Sequence, residues 1–186
     1  MAQHVCPWWM GYLLASPLRR WWTQSPEDLL APYIRMGMTV LEPGPGMGFF
    51  TLPMAEMVGP SGRVIAVDIQ EKMLAGIRRK ARREGLLDRI DTRVVRPDNI
   101  GIDDLGGRID FILAFAVVHE MPSAAAFFQA AAAGLKHGGQ LFFAEPSGHV
   151  KPETFHQEME AARAAGLEGF AQPQVRGSHT AVLRKA

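Results

Sequence analysis

Three glycines and a carboxylate stand together in Val40-Leu-Glu-Pro-Gly-Pro-Gly-Met-Gly-Phe-Phe50. Glycines at 44, 46 and 48 permit a sharp turn and let a ligand approach the backbone without meeting a Cβ. The helix expected from about Phe49 points its unpaired amides at this loop. Pro53 falls in the first turn of that helix, where a missing amide costs little. A loop that cradles a pyrophosphate spaces its glycines Gly-x-Gly-x-x-Gly. Here the third glycine comes one residue early, and Phe49 stands in its place. The Glu42 carboxylate would repel a pyrophosphate and suits a ligand that carries an ammonium or sulfonium group.

Other residues with chemical potential follow short apolar runs. Asp68 closes the second run, 26 residues after Glu42, and Ile69 comes next. Asp98-Asn99 follow the third run, and Phe115 closes the fourth. His119 and Glu120 come just after it; Glu145 and His149 come after the fifth. Loops at the C-terminal ends of parallel strands are where ligands bind. His119 can serve as a general base toward a reacting group, or it can hydrogen-bond a carbonyl and shape its loop. His119, Glu145 and His149 are ligand types for a divalent metal. A polar substrate pocket is the simpler reading, and no metal is assigned.

These residues need a scaffold, and the chain provides one. The runs 38–42, 63–68, 91–95, 109–115 and 140–144 are almost continuously apolar, as strands covered on both faces must be. Helical patterns lie between them. Residues 70–84 place Met73, Leu74, Ile77 and Ala81 on one face, and the basic run Arg78–Arg83 fills the solvated remainder. Residues 122–136 are alanine-rich and open with a proline, and residues 152–165 stop at Gly166. Ser25-Pro-Glu-Asp28 reads as a helix start. The fold class is therefore α/β, with helices on both faces of a mostly parallel, doubly wound sheet. In the tail, residues 172–175 and 178–184 are separated only by Arg176-Gly177, which predicts an antiparallel hairpin at a sheet edge.

The 186 residues suit a single domain, expected over 25–186, with 1–24 outside the alternating pattern. Twenty Lys+Arg against 19 Asp+Glu leave a net charge of +1, too small a field to predict a nucleic-acid partner. One cysteine, Cys6, excludes an internal disulfide framework and any multi-cysteine metal site. A reducing, cytoplasmic compartment is the natural expectation. The apolar stretch near the start is broken by Pro7, Gly11 and Pro17 and falls short of the ~18–20 residues that span a bilayer. Its basic pair, Arg19-Arg20, follows it, the reverse of a secretory signal. No membrane insertion is expected. All four tryptophans (8, 9, 21 and 22) lie in this segment. Three roles are open for it: a lid over the site, a contact between copies of the chain, or an interfacial membrane contact.

The ordered set of motifs resembles the class I S-adenosylmethionine-dependent methyltransferases. The resemblance covers roughly residues 25–184. Glu42-x-Gly44-x-Gly46-x-Gly48 is similar to that family's first motif. Asp68 stands where the family holds the ribose hydroxyls, and Ile69, Asp98 and Asn99 stand where it flanks the adenine. Phe115 ends the strand that opens onto the transferable methyl. Leu135–Leu141 looks like the turn into the fifth strand. The resemblance implies a Rossmann-like seven-stranded sheet with its last strand antiparallel. It also implies S-adenosyl-L-methionine as cofactor and in-line transfer of its methyl group to an acceptor.

A small-molecule acceptor is expected, since the family's Asn/Asp-Pro-Pro-Tyr/Phe motif for amino groups is absent after the fourth strand, where Phe115-Ala-Val-Val118 stands. Arsenite-type relatives use several cysteines, and this chain has one. Two rival readings remain. One is a non-catalytic protein that keeps the cofactor fold. The other is a nicotinamide oxidoreductase on the same type of sheet, which the glycine spacing disfavours.

Overall fold

The computed structural model describes residues 25–186. The proposed lid or interface segment 1–24 lies outside the described residues. The chain alternates strands and helices: α1 (Pro26–Leu30), β1 (Thr39–Pro43), α2 (Thr51–Met57), β2 (Arg63–Asp68), α3 (Glu71–Glu84) and β3 (Ile90–Val94). Then follow β4 (Ile109–Phe115), α4 (Ala124–Gly134), β5 (Leu135–Pro146), α5 (Pro152–Ala164), β6 (Leu167–Ala171) and β7 (Ser178–Lys185). The seven strands form one sheet in the order β3-β2-β1-β4-β5-β7-β6. β1 through β5 pair in parallel, β7 runs antiparallel to β5, and β6 runs antiparallel to β7. This is the doubly wound α/β sheet expected from the sequence.

Neighbouring residues on each central strand serve opposite layers, which explains the unbroken apolar runs. Val40, Val64, Phe111 and Phe142 face a core with Leu30, Met54, Leu74 and Ile77 from α1, α2 and α3. Leu41, Ile65, Ile112 and Phe143 face the other core, with Phe128 and Ala131 of α4 and Ala162 of α5. The apolar stripe of α3 is buried, while Arg79, Arg82 and Arg83 are exposed. Arg78 of the same run is half-buried and bonds the hydroxyl of Thr92 at 3.0 Å. Ser25 caps α1 by accepting the Asp28 amide at 3.1 Å.

The tail departs from the expected register. The outer strand of the hairpin is 167–171, not 172–175. Gly166, with φ of 84°, ends the preceding turn in a left-handed conformation, and the chain enters the sheet at once. Pro173 has no amide for a ladder, so 172–177 forms the connection instead. The Pro173 carbonyl accepts the Thr180 hydroxyl. β5 also begins earlier than expected, directly after α4, with a register shift between Ile109 and Phe111. α4 starts at Ala124 because Ser123 caps it, its hydroxyl accepting the Ala126 amide at 3.2 Å.

β1 feeds β2 and β3 on one side, and the chain then returns to place β4 on the other. The strand order therefore reverses between β1 and β4, the position where open α/β sheets form a crevice at their carboxyl ends.

Candidate functional site

A cavity of about 410 Å³ opens at that crevice. This lies within the range of roughly 300–1,000 Å³ usual for small-molecule sites. Four strand ends contribute to it: Glu42 from β1, Asp68 from β2, Phe115 from β4 and Pro146 from β5. Gly44, Gly46, Ile69, Asn99 and His119 line it too, so eight of the ten residues expected to hold the cofactor or act as base share one cavity. Gly48 and Asp98 do not line it. Gly48 is buried against α3, where an added Cβ would come within 3.3 Å of Ile77. It lets the loop pack. The Asp98 side chain is 71% exposed and pairs with Arg96 at 3.6 Å, so it faces solvent rather than the cavity.

The glycine loop is built by steric necessity. Gly44 has φ of 64°, and a Cβ there would stand 2.6 Å from Cγ2 of Val117. Gly44→Ala is expected to cost about 1–3 kcal/mol of stability through this clash and the left-handed backbone; urea denaturation of the two proteins checks it. Around Gly46 an added Cβ would meet nothing within 4 Å, so this backbone faces open space. Ala116, with φ of 55°, is the one non-glycine residue with positive φ among the described residues. Its amide bonds the Ala144 carbonyl at 2.7 Å, and it too lines the cavity. Strain of this kind gathers where a site must be shaped. No sequence signal announces it.

The cavity wall is acidic. Glu42 is 4% exposed and accepts the Thr51 hydroxyl at 2.6 Å. Burial pushes its carboxyl up to about 8; the Thr51 hydrogen bond opposes this, and the charge of Asp68 adds to it. Burial raises Asp68 to about 6, against the Gln70 amide that its Oδ1 accepts at 2.8 Å, with Glu120 adding to the rise. Carboxylates held above their ordinary range by burial and mutual repulsion favour an incoming cation and disfavour phosphates. Next to Asp68, Ile69 is 38% exposed, and Ile100 also lines the cavity. Both offer apolar surface for a flat ring. The Asn99 side chain is engaged locally, its Oδ1 accepting the Gly101 amide at 2.5 Å.

Beyond Phe115 the character changes. Phe50 packs edge-on against Phe49 and tilted against Phe115, each at a centroid distance of 4.9 Å. Facing this wall are His119, Glu120, Met121 and His149. His119 Nδ1 is paired with Glu145 Oε2. Glu145 is fully buried, and its Oε1 accepts the amides of Val118 at 2.8 Å and His119 at 3.3 Å. Hydrogen bonding to Glu145 raises the His119 imidazole above its ordinary value, with burial opposing. Among the described residues, no group of three or more metal-binding side chains is placed to hold a metal ion.

Residues 40–139 match the family model for the methyltransferase domain. The chain belongs to this methyltransferase family. In sequence it is 35% identical over 82 residues to the ubiquinone/menaquinone biosynthesis C-methyltransferase UbiE of Pasteurella multocida. That stretch is 44% of this chain and 30% of the relative, so the match spans about a third of the relative's length. In structure this family member superposes on a SAM-dependent methyltransferase from Aquifex aeolicus with a TM-score of 0.85 at 22% identity, covering 98% of this chain and 100% of that one. A geranyl diphosphate C-methyltransferase from Streptomyces coelicolor gives a TM-score of 0.70 at 15% identity, covering 86% and 74%. The seven-stranded sheet with an antiparallel final strand is thus the Rossmann-like methyltransferase fold. S-adenosyl-L-methionine is the cofactor of the family, and the open backbone at Gly46, the acidic wall and the exposed Ile69 fit it.

Proposed function

We propose that this methyltransferase transfers the methyl group of S-adenosyl-L-methionine to a small-molecule acceptor. S-adenosyl-L-homocysteine and a proton are the other products. The observation that carries this reading is the convergence of Glu42, Asp68 and the open glycine loop on one cavity. Asp68 would accept hydrogen bonds from the ribose hydroxyls. Ile69 and Asn99 would flank the adenine, and Gly44, Gly46 and Glu42 would meet the methionyl part. Gly48 contributes by packing the loop. Phe115 marks the methyl end.

The bound cofactor supplies a methyl carbon already activated by a sulfonium charge; the acceptor's electron pair forms the new bond while the carbon–sulfur pair stays on sulfur. The protein's task is to hold both partners in line and to exclude water. The acidic wall complements the cation, and the Phe49–Phe50–Phe115 wall shields the reacting end. The modest size of the cavity and the aromatic wall favour a small acceptor over a macromolecule. The UbiE relative points the same way by name.

An assay of S-adenosyl-L-homocysteine formation from S-adenosyl-L-methionine tests the proposal. Small aromatic hydroxy compounds are expected to support product formation. Product formed only with RNA or protein as acceptor would overturn the small-molecule reading.

A further inference from the structure

The cavity that the aromatic wall lines also holds side chains to which the proposed cofactor contacts give no role. The Glu145 carboxylate spends one oxygen on the Val118 and His119 amides and the other on His119 Nδ1. All three donors belong to the turn that follows β4. That turn is therefore clamped to the end of β5, and the imidazole is clamped with it. With Nδ1 engaged by Glu145, Nε2 is the ring nitrogen left to meet a ligand, and His119 lines the cavity. A carboxylate bound to Nδ1–H fixes the tautomer whose Nε2 carries a lone pair. A lone pair at that position can accept a proton.

We infer that His119 and Glu145 form a base unit at the acceptor end of the cavity, serving an acceptor that reacts through an aromatic hydroxyl. The inference rests on the proposed methyl transfer and names its substrate class. The acceptor's O–H proton passes to Nε2 of His119, and the electron pair stays on the acceptor, ready to form the bond to carbon. His119 later returns the proton to solvent. Glu145 touches no reacting atom; it is a positioning residue. A tertiary amine or a thioether has no proton to lose and gives such a unit no purpose. An aromatic hydroxyl needs one near neutral pH, and Phe49, Phe50, Phe115 and Met121 offer it an apolar surround.

Other titratable groups face the unit from each side. Glu120 belongs to the same turn, and the His149 ring stands 6.1 Å from that of His119. From α5 comes Glu158, 6% exposed, whose Oε2 has no hydrogen-bond partner among the described residues. Burial and the charge of Glu145 push Glu158 up to about 7.

Nitrogen NMR of histidine-labelled full-length protein tests this without an assay of turnover. Neutral His119 is expected as the Nδ1–H tautomer, titrating above the ordinary histidine value. In Glu145→Gln the midpoint is expected to fall toward that value. Glu145→Asp, which keeps the charge, is expected to restore part of the shift if the glutamine variant folds poorly. Phenol added to protein saturated with S-adenosyl-L-homocysteine is expected to shift the His119 Nε2 resonance. The Nε2–H tautomer in the wild type, an unmoved midpoint in both variants, or a His119 signal indifferent to phenol would each overturn the inference. Binding of S-adenosyl-L-homocysteine, followed by calorimetry, is expected to change less than about twofold in these variants. Failure of the wild type to bind it would count against the cofactor reading instead.

Discussion

Asp68→Ala is expected to weaken binding of S-adenosyl-L-homocysteine about 100-fold. Asp68 closes β2 at the cavity, where a charged acceptor would hold two ribose hydroxyls. Hydrogen bonds to charged groups are worth roughly 1.5–3 kcal/mol each, and about 1.4 kcal/mol is tenfold in affinity. The same carboxylate also accepts the Gln70 amide just before α3, so alanine removes that hydrogen bond as well, at about 1 kcal/mol. Asp68→Asn separates the two effects. It keeps an oxygen for Gln70 and loses the charge, so affinity is expected to fall while the melting temperature changes little. Calorimetric titration with both variants checks this. An Asp68→Ala protein that binds like the wild type removes Asp68 from the site.

The second large effect concerns Glu42 and pH. Its carboxyl lies at about 8 in the folded protein against an ordinary 4.5. Between these values the folded state holds a proton that the unfolded chain has released. Stability from this group is therefore complete below 4.5 and is lost as pH rises through about 8. The slope approaches 1.4 kcal/mol per pH unit at most. Asp68, raised to about 6, adds a loss in the same direction over a lower window. A bound sulfonium and ammonium reverse the balance by favouring the ionised carboxylate. Binding of S-adenosyl-L-methionine at pH 7 is thus expected to release a proton, and affinity is expected to rise from pH 6 to 8. Glu42→Gln keeps a hydrogen-bond partner for Thr51 and cannot ionise. It is expected to bind at least 10-fold more weakly at pH 8 and to show a flatter pH dependence. Titrations in buffers of different ionisation enthalpy count the protons. Equal proton release by both proteins would remove Glu42 from this role.

The fold was legible where local pattern and burial agree. The five parallel strands are apolar on both faces because Val40 and Leu41, or Phe142 and Phe143, serve opposite layers. Their continuity marks them in sequence. The sixth strand carries no such mark. Leu167-Glu-Gly-Phe-Ala171 has one buried residue and lies at the sheet edge, so pairing with β7 rather than burial defines it. The run at 172–175 looked more strand-like, yet Pro173 places it in the connection. A local pattern does not decide which of two adjacent segments meets a partner strand.

The site divides in the same way. Glycine spacing and acidic residues at strand ends are local signals, and they gathered Glu42, Gly44, Gly46 and Asp68 at one cavity. Gly48 belongs to the same motif but works through Ile77, 29 residues away, which spacing cannot reveal. Asp98 and Asn99 are adjacent, and only the second turns inward. The pairing of His119 with Glu145 joins residues 26 apart through neighbouring strands. The sequence places both at the cavity mouth, but their bond is a product of the β4–β5 register. Left-handed Ala116 and buried Glu158 gave no signal at all.

A crystal structure with S-adenosyl-L-homocysteine tests the central claim most directly. The ribose hydroxyls are expected on Asp68, the adenine beside Ile69 and the sulfur toward Phe115, with the glycine loop beneath the homocysteine. A cavity that stays empty at saturating concentration, or one that takes a dinucleotide with its pyrophosphate on the glycine loop, would contradict the account.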